Sequence, residues 1–353
     1  MGLSRIHGAE GEAVTLSATQ LYRSPLGYGR VFFSEGECPL KNIKAIVAGQ
    51  FIFLFMVAFF VFMAVVSPQF RTHYNLFNLW LDAVITGILG IGMTFVITTA
   101  GIDLSVASNL VFSAMIGAIL MSRGQGVLLA FLVMLAVGLG FGLLNGVMVA
   151  RLKMVPFIVT LGTLSLGRGL AMLSTRAKSV YGFPEIVTRI GSGEIGFFPV
   201  AGLIMAFLYV VAWYVLNRTV FGRSVYLVGS NPRAARLSGI DVERVKSLVY
   251  LVSGLCAAIA AFIQMGRLNA AKPNMLYGLE LDVVSAVVLG GTSLFGGKGN
   301  ILGTLWGTMV IVLIRNAMVL FGVSVYYHQV VKGLVILAAV LIDILRSGVL
   351  KKR

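Results

Sequence analysis

Charged residues, cysteines and histidines are scarce in this sequence. Charged residues make up 12% of its 353 residues, about half of what a soluble globular domain carries. The two cysteines and three histidines lie far apart, so we expect neither a disulfide nor a metal site. No nucleophile–base pair or cofactor motif is evident either. We therefore expect that the chain is not an enzyme and binds no cofactor.

One glycine-rich segment invites comparison with a phosphate-binding loop. Residues Gly290 to Gly299 include Lys298, but Gly299 follows that lysine where a phosphate-binding loop has Ser or Thr. No alternation of strands and helices surrounds the segment. We expect no nucleotide binding here, and we interpret the segment as an irregular turn where a broken helix lines a cavity.

Long apolar runs dominate the sequence. Hydrophobic residues make up 58% of it, and runs of about 20 residues, long enough to cross a bilayer, recur. Continuous apolar runs cross lipid only as helices. Hydropathy predicts an all-α polytopic membrane protein with about ten spans, broken or re-entrant near residues 79–105 and 281–299. The predicted spans are 45–66, 79–99, 105–121, 127–150, 157–174, 200–216, 245–264, 281–295, 301–321 and 329–345.

Basic residues predict the orientation of these spans. The net charge of +15 is compatible with nucleic-acid binding, but basic loops on the cytoplasmic face explain it better in a membrane protein. With the N-terminus inside, 18 of the 28 lysines and arginines fall in inner segments and seven in outer loops. We expect a multi-pass protein of a bacterial inner membrane, with both termini cytoplasmic and no nucleic-acid partner.

The sequence divides into three expected regions. Residues 45–345 form the transmembrane domain. Residues 1–44 are polar and contain nothing like a cleavable signal, so we expect a poorly ordered cytoplasmic tail before a first span that acts as an uncleaved anchor. A start codon assigned too early is the alternative for this tail. Residues 346–353 form a short basic cytoplasmic tail.

The loop between the sixth and seventh predicted spans contains a short helix signal. Asn231 is a favoured N-cap, and Pro232 suits the first helical position. Gly239 suits the position just after a helix, and Asp241 can cap the next one. The predicted helix and its flanks comprise Asn231, Pro232, Arg233, Ala234, Ala235, Arg236, Leu237, Ser238 and Gly239. Two interpretations are open: a docking element for a cytoplasmic partner, or an ordinary loop with a helical turn.

Polar residues at membrane depth are candidates for a translocation pathway, because such residues usually face a cavity or a partner. The candidates are Asp103, Ser105, Thr160, Thr163, Arg168, Asp282, Thr292 and Ser293. Asp103 has a structural alternative as a cap at the start of the third span.

Structural ion pairing is the alternative for the charged residues inside the spans. Arg168 has two possible acidic partners, Glu280 and Asp282, or it extends to the outer boundary of the membrane. The same alternatives of function or ion pairing hold for Arg315, Lys332 and Asp343.

The longest outer loop, residues 175–199, carries charges suited to docking a soluble protein. Its candidate docking residues are Arg176, Lys178 and Arg189. A solvated loop without a partner is the alternative.

Four blocks of sequence occur together in this chain. They are residues 90–106, residues 145–170, the loop 221–240 and residues 280–299. These blocks, and their order along the chain, resemble those of the permease subunits of ribose-, xylose- and arabinose-type bacterial ABC importers. The resemblance extends over roughly residues 45–345. Ala100 and Ala107 stand where that family usually has glycine.

The resemblance implies a function and a set of partners. The partners are a cytoplasmic ABC ATPase subunit, a periplasmic sugar-binding protein and a second permease subunit, identical or paralogous. ATP binding to the ATPase is expected to move the short helix and switch the pathway from inward- to outward-facing, so that a monosaccharide crosses the inner membrane. The alternatives are an ABC permease for nucleosides or another polar small molecule, and an ion-coupled secondary transporter or channel. An ion-coupled carrier needs no capped cytoplasmic docking helix.

Overall fold

The computed structural model describes residues 39–196 and 198–347, and the side chains of residues 39–50, 325, 342 and 345–347 are not described. Most of the expected tail 1–44 therefore lies outside the described residues, as do residues 348–353. Contacts between residues divide the chain into two compact units, Met1–Gly49 and Gln50–Arg353. The packing described below is that of the second unit. The expected domain boundaries stay predictions.

Most of the described residues are helical. The regular structure also includes one 3₁₀ turn, Gln69–Arg71, and two small antiparallel pairings of two-residue strands. The α-helices are α1 Pro39–Val66, α2 His73–Thr98, α3 Val106–Ser122, α4 Val127–Ala150, α5 Pro156–Thr175, α6 Glu185–Ser192, α7 Val200–Arg218, α8 Val220–Ser230, α9 Pro232–Leu237, α10 Val242–Leu268, α11 Leu279–Leu289, α12 Ile301–Leu320 and α13 Val325–Ser347. The strands are β1 Val180–Tyr181, β2 Glu194–Ile195, β3 Phe198–Pro199 and β4 Ala270–Ala271.

Six helices among the described residues are long and apolar enough to cross a membrane, namely α2, α4, α5, α7, α10 and α12. Three further apolar stretches are shorter: Phe51–Val66, Val106–Ser122 and Tyr326–Leu341. The prediction of an all-α, multi-pass membrane protein is confirmed at this level. The count of about ten spans stays a prediction.

The two segments predicted to be irregular differ from each other. α2 is continuous over 26 residues, so its irregularity is confined to the non-helical residues 99–105 that follow it. α11 has only 11 residues and gives way to the non-helical residues 290–300. Its length of about 16 Å is half of the hydrocarbon thickness. α11 alone is therefore too short to cross a bilayer.

α2 and α10 occupy the centre of the bundle. Every residue of α2 from Ala83 to Thr98 is buried, and α10 packs against α2, α3 and α4. Glycines permit the closest of these approaches: a Cβ at Gly138 of α4 would lie 2.5 Å from the carbonyl oxygen of Gly254 in α10. Such contacts between small residues are how helices approach in lipid, where no hydrophobic force drives them together.

The loops sort to two ends of the bundle. At one end, Ser247 near the start of α10 donates to the carbonyl of Gly146 near the end of α4, and Tyr226 of α8 donates to the carbonyl of Gly299 before α12. We call this the α9 end. At the opposite end, β1 pairs with β4. Which of the two ends faces the cytoplasm stays a prediction.

Candidate functional site

The N-terminus of α9 is capped as the sequence predicted. The side-chain oxygen of Asn231 accepts hydrogen bonds from the N–H groups of Arg233 at 3.0 Å and Ala234 at 3.1 Å. Pro232 occupies the first helical position. These contacts satisfy N–H groups that have no partner within the helix.

The C-terminus of α9 and its junction with α10 are also defined by local contacts. Gly239 has a φ of +79°, the left-handed conformation that often follows a helix. Asp241 then accepts from the N–H of Arg244 at 2.8 Å and begins α10. Arg236 forms an ion pair with Glu243, which ties α9 to the first turn of α10. α9 is thus a six-residue helix held at both ends.

One face of α9 is accessible and the other is not. Leu237 is 91% exposed, whereas Ala235 is 2% exposed and packs against the interior of the chain. The other exposed members of the predicted set are Asn231, Pro232, Arg233, Ala234, Arg236, Ser238 and Gly239. An exposed leucine beside two arginines suits a partner groove with an apolar floor and an acidic rim.

α8 was not predicted, because its sequence lies within what hydropathy assigned to a loop. The side chain of Thr219 caps it by accepting from the N–H of Gly222 at 3.2 Å. Its buried residues are Gly222, Val225, Val228 and Gly229. Their spacing of three to four residues is the signal of an amphipathic helix that was available in the sequence.

Glycines bring α8 into close contact with two other parts of the bundle. A Cβ at Gly229 would overlap the carbonyl oxygen of Thr98 and lie 2.6 Å from the nitrogen of Gly297. The Gly297 N–H donates to the Thr98 carbonyl at 2.9 Å. We call this contact of Thr98, Gly229 and Gly297 the glycine junction. It joins α8 to the end of α2 and to the turn before α12.

Tyr226 adds a second contact between α8 and the turn before α12. Its hydroxyl donates to the carbonyl oxygen of Gly299 at 2.9 Å. Burial raises the pKa of Tyr226, so the hydroxyl stays protonated and keeps this hydrogen bond at physiological pH.

Three pathway candidates, Asp103, Ser105 and Thr163, lie in one buried hydrogen-bond network. Asp103 accepts from the hydroxyls of Ser105 at 2.6 Å and Ser253 at 2.7 Å. Asn145 donates to the Ser105 hydroxyl at 2.8 Å and accepts from Thr163 at 2.8 Å. All five side chains are buried. The network fixes residues 99–105 against α4, α5 and α10.

The network also bears on the alternative role of Asp103 as a helix cap. Asp103 accepts from the N–H of Ser105 at 3.1 Å, and Ser105 itself is the N-cap of α3, without a side-chain capping bond. Asp103 therefore orders the turn before α3 instead of capping the helix. Ser253 is a member of this cluster that the sequence did not single out, since a lone serine in an apolar span carries no distinctive signal.

Arg168 holds a loop rather than an acidic side chain. Its guanidinium donates to the carbonyls of Met275 at 2.6 Å and Leu276 at 2.9 Å. It also lies 4.3 Å from the ring centre of Tyr277. Leu276 has a positive φ of 59°, which non-glycine residues adopt at a cost. Arg168 thus stabilises the loop that leads into α11.

The remaining charged residues within the helices separate into ion pairs and hydrogen bonds. Asp282 pairs with Lys332 at 3.0 Å. Asp82 pairs with Arg267 at 2.6 Å and with Arg315 at 2.8 Å. The structural ion pair expected for Lys332 and Arg315 is therefore what the structure contains. Asp82 was not identified from the sequence.

Asp343 has polar partners in the turn before α12. It accepts from the Leu294 N–H at 3.0 Å and from the Ser293 hydroxyl at 3.3 Å. Thr292 accepts from the N–H of Asn300 at 3.2 Å. The pathway candidates Thr292 and Ser293 thus shape this turn.

Two further pathway candidates differ in their surroundings. Thr160 donates to the carbonyl of Pro156 in its own helix at 2.9 Å. Asp282, in contrast, lines a cavity between α11, α12 and α13. Of these two candidates, Asp282 is the one that lines a cavity.

The basic residues proposed for docking a soluble protein lie at the end opposite α9. Arg176 ends α5 in a left-handed conformation, and Lys178 follows it. Arg189 pairs with Glu185 on α6 at 2.9 Å. α6 packs against α10 and covers part of this end of the bundle. All three basic side chains are exposed.

Comparison with known proteins agrees with this architecture. The family model described as "Branched-chain amino acid transport system / permease component" matches residues 75–340. The ribose import permease protein RbsC of Escherichia coli (strain K12) is 42% identical over 295 residues, which is 82% of this chain and 92% of that protein. RbsC of Bacillus subtilis (strain 168) is 40% identical over 306 residues, covering 85% and 93%.

A third relative is named for a different sugar. The D-allose transport system permease protein AlsC of Escherichia coli (strain K12) is 37% identical over 300 residues, which is 84% of this chain and 91% of that protein. No solved structure matches the chain. The family model and these relatives all extend over most of the sequence, and the chain therefore belongs to this family of transport-system permease components.

Proposed function

We propose that this chain is the membrane-spanning permease subunit of an ABC importer that carries a monosaccharide across the bacterial inner membrane. α9 is the observation that carries the proposal, because a short exposed helix held at both ends suits docking to an ATPase. Similarity to permeases named for ribose and allose supports a sugar as the substrate. ATP hydrolysis belongs to the partner ATPase.

The glycine junction gives α9 a route to the rest of the bundle. When ATP draws the ATPase subunits together, α9 and the adjoining α8 move with them. Because α8 packs without a gap against Thr98 and Gly297, its movement displaces the end of α2 and the turn before α12. Packed elements transmit such shifts because close-packed interiors do not deform continuously.

The proposed topology has ten membrane crossings. The six long apolar helices together with α1, α3 and α13 make nine of them, and α11 with the non-helical residues 290–300 makes the tenth. The α9 end then faces the cytoplasm, with both chain termini on that side. The opposite end receives a periplasmic sugar-binding protein at Arg176, Lys178 and Arg189. A second permease subunit, identical or paralogous, completes the pathway.

Three alternatives, two in substrate and one in mechanism, can be distinguished from this proposal by experiment. The family description names branched-chain amino acids, and a nucleoside is a further polar candidate. An ion-coupled carrier or channel is the alternative of another class, and the exposed, capped α9 counts against it because such a carrier docks no ATPase.

The test is transport by the reconstituted complex. The chain is placed in proteoliposomes with its ATPase, and the binding protein is added outside. We expect uptake of radiolabelled D-ribose or D-allose that requires ATP within the vesicles and is unaffected by an ionophore. Uptake of leucine or uridine in place of both sugars would correct the substrate. Uptake that needs an ion gradient and no ATP would refute the proposal.

A further inference from the structure

A cleft near the end opposite α9 separates α13 from α12. α13 packs against α11 and leaves this gap beside α12. Its volume is about 220 Å³, less than the roughly 300–1,000 Å³ of sites that enclose a drug-sized ligand. Most of the side chains that line it are apolar, among them Ile311, Ile314, Val331 and Val335. The cleft therefore suits an apolar chain of which only a part is enclosed.

Aromatic side chains indicate the depth of the cleft in the membrane. Four exposed aromatic residues lie at this end of α11, α12 and α13, namely Tyr277, Phe321, Tyr326 and Tyr327. Tyrosine is enriched where a membrane meets water. Arg315 lies five residues before the end of α12, about 8 Å along the helix. Its long side chain can extend over that distance, so its guanidinium lies within reach of lipid headgroups.

The ion pairs at the cleft leave one positive charge in excess. Arg315 lies 2.8 Å from one carboxylate oxygen of Asp82, and Arg267 lies 2.6 Å from the other. Among the described residues, this one carboxylate serves both arginines. Lys332 and Asp282 are 3.0 Å apart and balance each other. A ligand group that carries one negative charge therefore restores neutrality.

Arg315 is the arginine of this group that can contact such a ligand. It lines the cleft and its side chain is 35% exposed, whereas the side chain of Arg267 is 15% exposed. Its ion pair with Asp82 uses Nη2. Because a guanidinium carries five N–H donors, donors remain for another acceptor. The planar group matches the geometry of phosphate oxygens, so a phosphate is the anionic group that it suits best.

The occupant of this site must combine one negative charge with an apolar chain. A phospholipid with an anionic headgroup has both, and it places its phosphate at the depth that Arg315 can reach. Inorganic phosphate would leave the apolar walls uncovered, and a neutral phospholipid would leave the excess charge unbalanced. A second copy of this chain fits poorly, because a twofold contact sets the same patch on both sides and like charges across an interface are unfavourable.

We infer that the cleft between α12 and α13 binds an acyl chain of an anionic phospholipid from the adjacent membrane leaflet, with Arg315 at the lipid phosphate. The acyl chain fills the gap beside α13 and holds that helix against the bundle. The inference requires that the protein spans a membrane, and it does not depend on which molecule is transported.

Native mass spectrometry of the full chain in detergent tests the inference. The protein is titrated with dioleoylphosphatidylglycerol or dioleoylphosphatidylcholine, which share their acyl chains and differ in charge. Arg315→Gln removes the excess charge and leaves Asp82 and Arg267 as a one-to-one pair, so it is expected to fold. Val335→Trp narrows the cleft without changing its charge. Arg123→Gln is the matched control, because Arg123 is exposed and caps α3 through its backbone N–H.

We expect the unaltered protein to bind the first phosphatidylglycerol about fivefold more tightly than phosphatidylcholine, the preference that one arginine near an anionic headgroup gives. Arg315→Gln should bind both lipids equally, Val335→Trp should weaken both, and Arg123→Gln should keep the preference. Equal binding of the two lipids by the unaltered protein, or an unchanged preference in Arg315→Gln, would overturn the inference. So would displacement of the lipid by inorganic phosphate, which indicates a small-anion site, or loss of a dimer rather than of lipid in Val335→Trp, which indicates a contact between copies.

Discussion

Gly229→Ala perturbs the glycine junction directly. A Cβ at this position would overlap the carbonyl oxygen of Thr98 and crowd the nitrogen of Gly297. Both neighbours are backbone atoms, so no flexible side chain can move aside. Either α8 shifts away from the end of α2, or the Gly297–Thr98 hydrogen bond of 2.9 Å breaks.

The size of the effect follows from these two costs. Forcing a methyl group into a packed site costs about 1–3 kcal/mol, and leaving a buried hydrogen-bonding group without its partner costs about 1–3 kcal/mol. Because a shift of α8 relieves part of both, we expect a loss of about 3 kcal/mol in the free energy of unfolding. That corresponds to a fall in Tm of about 6–12 °C.

Thermal unfolding and transport together form the assay. Gly229→Ala is expected to lower the Tm and abolish ATP-driven sugar uptake, while the ATPase still co-purifies because α9 is unchanged. The control is Gly140→Ala on α4, where an added Cβ meets no atom within 4 Å. Gly140→Ala is expected to leave uptake and Tm unchanged or to raise the Tm slightly. A Gly229→Ala protein with wild-type Tm and uptake would refute the role of the junction.

Three further predictions concern local conformation, capping and ion pairing. Ala100 has a φ of +59°, so Ala100→Gly should stabilise the protein by about 1 kcal/mol and raise its Tm; an unchanged or lower Tm would contradict this. Asn231→Ala removes the N-cap of α9. The loss of about 1 kcal/mol of helix stability should weaken binding of the ATPase about fivefold, as measured by titration. Binding as tight as that of the wild-type protein would count against a docking role for the ordered helix. Asp82→Asn leaves Arg267 and Arg315 without their carboxylate partner. It should lower the free energy of unfolding by about 2 kcal/mol. A Tm equal to that of the wild-type protein would contradict this.

The parts of the fold predicted correctly from the sequence depend on short-range chemistry. Asn231 and Gly239 act on residues within four positions of themselves, so composition and spacing were enough to predict α9 and both of its ends. The apolar runs likewise predict membrane helices because length and hydropathy are local properties. α4 extends over Val127–Ala150, the same residues as the fourth predicted span.

What was missed depends on contacts between residues far apart in the chain. Asp103 finds its partners on α4 and α10, and Arg168 finds carbonyl groups more than a hundred residues away. Neither the identity nor the spacing of these residues indicates such partners. Ala235 was predicted as a member of the short helix together with its exposed neighbours, but its side chain faces the interior, because the helix packs one side against the rest of the chain.

The most direct measurement of the central claim is recovery of the ATPase with a variant of the exposed face of α9. Leu237 is 91% exposed, so Leu237→Glu alters the surface without removing a packing contact. The matched control is Leu152→Glu, which is 64% exposed in the loop between α4 and α5 at the same end of the bundle. Leu237→Glu should insert and fold normally yet lose the co-purified ATPase, while Leu152→Glu retains it. Full recovery of the ATPase with Leu237→Glu would contradict the assignment of α9 as the docking helix.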